Sequence, residues 1–167
     1  VITAEWVRLM ARHNAWQNGW MIDAITGLPA AEAMADRGLF FGSIFATANH
    51  LLWGDMMWMH RLGAGEAPAA GAADHMRLTA DAAEWATLRR RTDAGIMAWA
   101  GTLDGLIEGD VVWHSAFSPG EIRTPLAIAI SHLFLHGVHH RGQIHAGLTQ
   151  AGVTTPDTDL PKLPETI

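Results

Sequence analysis

The sequence predicts an all-α four-helix bundle. Three observations carry that expectation. Four long segments repeat apolar residues at helical spacing. Gly- and Pro-rich punctuation separates them. The composition, 49% apolar and 17% charged over 167 residues, suits a well-buried globular protein. That length fits one domain spanning residues 1–167.

The first helix is expected from Thr3 to about Leu28. Trp6, Leu9, Met10, Trp16, Trp20, Ile22 and Ile25 recur along it, and Gly27 and Pro29 mark its end. The second runs from about Arg37 to Leu62 and is apolar nearly all round, which predicts the most buried element. Leu39 to Met59 has the length and hydropathy of a membrane span. Asn49, His50 and Asp55 near its centre, with Arg37 and Arg61 at its flanks, argue for a core helix instead.

Gly63 to Asp74 is rich in Gly, Ala and Pro and reads as a loop. A third helix is expected from about Thr79 to Leu106, with Asp81 and Glu84 spaced as a capping box. The run Arg89-Arg90-Arg91 reads as a solvated stretch. Val111 to Phe117, Pro119-Gly120 and Glu121 to Arg123 suggest a short hairpin or extended crossover. Thr124 as N-cap and Pro125 at the first helical position begin the fourth helix, which runs to about Ala151 before Gly152. The tail from Thr154 to Ile167 holds three prolines and is expected to strap the bundle.

Net charge is −6 with no basic block, which disfavours nucleic acid as a partner. The chain has no cysteine, excluding a disulfide scaffold, a thiolate metal site and a Cys nucleophile. With no signal-peptide pattern at the N-terminus, a cytoplasmic protein without a membrane partner is expected. Trp16, Trp20, Trp53 and Trp99 stand at helical phases and are read as core.

The chemistry concentrates in histidine. The fourth helix carries His132, His136, His139, His140 and His145. Residues at i and i+4 share a helical face, so two imidazoles at that spacing reach one metal ion. Ile130, Leu133, Phe134, Val138, Ile144 and Leu148 mark the apolar side. His140 borders it, and His136 lies one step round. The pair His136/His140 is therefore preferred, and His132/His136 has the same spacing.

His50 lies near the middle of the apolar second helix and is the candidate third ligand. It shares a face with Ser43, Thr47 and Gly54. Three imidazoles leave a position open for water or substrate, and zinc, nickel and ferrous iron all accept them. The chain lacks the paired Glu-x-x-His motifs of di-iron bundles. No Glu follows His136, so a metalloprotease base is absent. Gln143, Asp55, His132 and His139 are the candidates for proton transfer or ligand support. Asn14 and Asn18 share a face that is either solvated or turned into the pocket.

Three stretches resemble the DinB-like proteins, relatives of the YfiT-like and bacillithiol- or mycothiol-dependent transferases. They are His13-Asn-Ala-Trp-Gln-Asn18, then Gly38 to Ile44 with Asn49-His-Leu-Leu-Trp-Gly-Asp55, and His132-Leu-Phe-Leu-His-Gly-Val-His-His-Arg-Gly-Gln143. The resemblance covers nearly the whole chain. It implies up-down-down-up connectivity, a divalent metal held by residues matching His50, His136 and His140, and a homodimer. It also implies a low-molecular-weight thiol cosubstrate in a transferase or isomerase reaction. His13 stands where such proteins often have Tyr. The expected function is metal-dependent thiol transfer to a small electrophile, with metal-dependent hydrolysis or a non-enzymatic metal-binding stress protein as alternatives.

Overall fold

Thr3 opens the first helix, its Oγ1 accepting from the Trp6 backbone N–H at 3.2 Å. The computed structural model, which describes residues 1–115 and 118–166, continues this as α1 over Ala4–Gly27. A short helix, α2 (Ala30–Met34), follows Pro29 and was not expected from the sequence.

The second long helix, α3 (Ile44–Arg61), starts seven residues later than its apolar content suggested. Gly38 and Gly42 take φ values of 69° and 79°, which break a helix. The Arg37 N–H then closes a turn onto the Gly42 carbonyl at 2.9 Å. Ser43 caps α3 through its Oγ and the Ala46 N–H.

The helix α4 spans Ala82–Thr102, shorter at both ends than expected. Asp81 caps it by accepting from the Ala83 and Glu84 N–H groups. Glu84 reaches back to the Ala80 N–H rather than to that of Asp81, so the capping box closes one residue upstream. Strands β1 (Asp110–Ser115) and β2 (Ser118–Pro125) form the antiparallel hairpin, with Trp113 opposite Ile122 and a bulge at His114/Ser115. Ala116 and Phe117 lie outside the described residues, as does Ile167.

The last long helix, α5, covers Leu126–Gln150. Pro125, not Thr124, occupies its N-cap position, because Thr124 stays in the sheet and its Oγ1 accepts from Trp113 Nε1. Single 3₁₀ turns occur at His75–Arg77 and Leu160–Lys162. The tail straps α1: Arg12 Nη2 donates to the carbonyls of Pro164 and Glu165.

The long helices pack chiefly as α1 on α4 and α3 on α5. Their apolar residues form two clusters. One holds Val7, Trp58, Ile96 and Phe134, the other Ile22, Leu51, Trp85 and Ile144. Between them, every long helix contributes to a buried polar layer. Asn14 and Asn18 both donate to Asp93, so they are neither solvated nor turned to a pocket. Arg89 is fully buried, bridging Asp55 and Asp93 at 2.7 Å each, which corrects its reading as solvated; Arg90 and Arg91 are exposed. Arg141 reaches from α5 to Asn14 Oδ1. The four tryptophans expected in the core are only half-buried, while Trp58 and Trp85 are buried. Among the described residues, no helix is long and apolar enough to cross a membrane.

Candidate metal centre

Small residues let α3 and α5 approach closely. A methyl on Gly147 would stand 2.8 Å from Ile44 Cγ1, and one on Gly54 would stand 2.8 Å from His136 Cε1. Gly54 thus opens the space that the His136 ring fills.

His50 of α3 and His136 and His140 of α5 converge there. One ring nitrogen from each lies within 4.8 Å of the others. His50 Nε2 and His136 Nε2 are 3.2 Å apart. Ligands about 2.0–2.1 Å from a tetrahedral ion sit roughly 3.3 Å from one another, so this spacing fits one edge of such a site. The donor set is all imidazole, suited to zinc, nickel or ferrous iron.

Burial keeps these rings neutral, the state in which imidazole ligates. It pushes the pKa of His50 down to about 3, helped by His140 and His75, and that of His136 to about 3, helped by His140 and His50. His140 is lowered for the same first reason, while its hydrogen bond to Gln143 acts in the opposite direction. The buried Nδ1 of His136 has no hydrogen-bond partner.

Two side chains orient the rings. His140 Nδ1 donates to Gln143 Oε1 at 2.8 Å, which leaves Nε2 as its free lone pair. The Gln143 amide in turn donates to His139 Nε2 at 3.3 Å. His75, from the 3₁₀ turn, places its Nδ1 2.8 Å from His50 Nδ1. Sequence spacing offered no sign of His75, which sits alone after an irregular loop. Phe41 packs on the group, its ring 4.2 Å from that of His50 and 5.5 Å from that of His140.

The remaining predicted candidates fall elsewhere. His132 is exposed, with its ring against Trp58 at 5.1 Å and His136 at 5.4 Å, and it is not in the converging set. His139 is exposed beside His140. His145 packs on Trp20. Asp55 belongs to the polar layer, where its Oδ2 accepts from Arg89. Burial raises its pKa to about 6 against the pull of Arg89. His13 is buried beside the tail, its Nε2 3.5 Å from the Thr158 carbonyl.

A cavity of about 430 Å³ opens beside His50 and His136, walled by Trp53, Trp58, Trp113 and Ile128. Among the described residues lining it there is no Asp or Glu. A mainly helical protein with three convergent imidazoles, two of them lining a largely apolar cavity, belongs to the class of helical proteins with an open-type candidate metal site. The chain is a member of the DinB family, whose family model matches residues 3–166. Neither a curated protein nor a solved structure matches it.

Proposed function

We propose that this protein holds one divalent transition metal through His50, His136 and His140 and transfers an external low-molecular-weight thiol to a small electrophile. The observation that carries this reading is the convergence of three neutral imidazoles, two of which, His50 and His136, line the cavity. Zinc, nickel or ferrous iron there would supply Lewis acidity that favours a thiol as its thiolate near neutral pH. His75 and Gln143 are the positioning residues, each fixing the tautomer of one ligand ring. The indole walls set apolar surface beside the reacting groups. The thiol must be external, because the chain has no cysteine.

Thiol transfer is favoured over hydrolysis by the absence of a carboxylate among the described lining residues, since metal-assisted hydrolysis uses a base to activate water. Asp55, the nearest acid in sequence to the site, is held by Arg89. The open side of the set also argues against a purely structural metal.

The same reading takes residues 1–167 as one domain with up-down-down-up helices. Support comes from the order in which helices pass between the apolar clusters: α1 and α5 one way, α3 and α4 the other. A homodimer is supported by the exposed apolar Ile128, Leu135 and Val138 on α5. The lack of cysteine supports a cytoplasmic setting.

The test is elemental analysis of protein purified without a His tag, beside His50→Ala and His136→Ala. About one ion per chain, lost in both variants, is expected. Metal-dependent consumption of a thiol should follow. Equal turnover by metal-free and loaded protein would overturn the enzymatic reading, and no ion after reconstitution would overturn the site.

A further inference from the structure

The cavity has a second end, and its chemistry is cationic. Arg61 closes the last turn of α3, eleven residues beyond His50, so their backbones stand about 16 Å apart along the helix. Both residues line the same cavity. The Arg61 guanidinium lies on two indole faces, 4.1 Å from the Trp113 ring centre and 4.8 Å from that of Trp58. It donates a hydrogen bond to the His114 carbonyl at 3.5 Å. Among the described residues, no carboxylate comes within 4.0 Å of it. A chain of net charge −6 thus builds a cavity whose described lining carries no acid and one guanidinium.

Stacking occupies the faces of a guanidinium but leaves its in-plane N–H donors for an anion. A partly buried cation without a counter-ion is poised to take one from a ligand. Trp58, Met57 and Ile128 give the walls apolar surface, beside the polar His132 and Thr124. We propose that this site binds an elongated amphipathic anion, with a carboxylate on Arg61, an apolar or aromatic body along the indoles, and its reactive end at the histidines. The last element rests on the metal-centre reading above. The carboxylate contact at Arg61 does not.

The test uses short-, medium- and long-chain ω-phenylalkanoates, each beside its primary amide, titrated calorimetrically into metal-loaded and chelator-treated protein. In the chelator-treated protein the best-fitting acid should bind about tenfold or more tighter than its amide, as a charged hydrogen bond would give. Arg61→Gln should bring acid and amide to within about twofold, and Arg61→Lys should keep part of the preference, since a point charge lacks the fork. If the Gln variant fails to fold by circular dichroism, the Lys variant carries the test. Equal affinity for acid and amide in the native protein, no binding of any acid, or an unchanged preference in both variants would overturn the proposal. Metal content, measured on the same samples, reports separately on the metal-centre reading: either can fail while the other stands.

Discussion

Nδ1 of His75 lies 2.8 Å from Nδ1 of His50. Two nitrogens at that distance share one proton, one donating and the other accepting. If His50 offers Nε2 to an ion, its Nδ1 must carry the proton, and His75 must accept it. His75 then sets the tautomer of His50 without touching the ion.

Removing that partner should weaken metal binding while leaving the fold intact. His75→Ala should lower metal affinity by about 10- to 100-fold in competition with a chelator. His75→Gln, which keeps an acceptor, should recover part of it. An affinity unchanged in the Ala variant would show that the contact does not orient His50.

Much of this centre was legible in the sequence, for a physical reason. His136 and His140 are one turn apart, and His50 shares a 4-3-4 face with Ser43, Thr47 and Gly54, so helical phase alone narrows the choice. His75 was not legible because a 3₁₀ turn after an irregular loop has no periodicity to place it. Arg89 was misread because three consecutive arginines look like a charged face. In fact Trp85, Arg89, Asp93, Ile96 and Ala100 form one buried stripe. The i+4 acid and the apolar residues on either side were the available signal. The start of α3 was missed because apolar content says nothing about Gly38 and Gly42, whose backbone angles stop the helix.

Gly54 and Gly147 offer a paired test of how α3 and α5 meet. A methyl at Gly54 pushes on the edge of the His136 ring, which can swing. Gly54→Ala should therefore keep the melting temperature close to native and lower metal affinity. A methyl at Gly147 meets Ile44 and Leu39, and Ile44 is fully buried and cannot give way. Gly147→Ala should destabilise the fold by about 1–3 kcal/mol. Denaturant unfolding and chelator competition on both variants check this, and the idea fails if the two effects are exchanged.

Arg89 joins two carboxylates from two helices in the layer between the apolar clusters. Truncation would leave Asp55 and Asp93 buried beside each other without that cation. Arg89→Ala should cost about 3–5 kcal/mol of stability, the range for breaking a buried ion pair from one side. Equilibrium urea unfolding measures this. A loss below about 1 kcal/mol, typical of an exposed pair, would mean that the layer is not held by Arg89.

Acid should unfold the metal-free protein through its candidate ligands. His50 and His136 take protons at about 3 in the fold against 6.5 ordinarily, because burial disfavours the imidazolium. A base with a depressed folded pKa contributes stability that is complete above its unfolded value and is lost as pH falls toward the folded one. Asp55 works the other way. Its raised pKa gives stability that is present below its ordinary 3.8 and lost as pH rises through about 6. Between those limits the unfolded chain binds extra protons at His50 and His136, and at His13, His75, His132 and His140, which burial also lowers, while the folded chain holds extra protons at Asp55 and Asp93, so the histidines dominate. The melting temperature of metal-free protein should therefore fall steadily from about pH 7 to about pH 4.5. A His50→Gln/His136→Gln double variant should show a flatter profile, since it has removed the groups that must stay neutral. A double variant as steep as the native protein would assign the acid sensitivity to other groups.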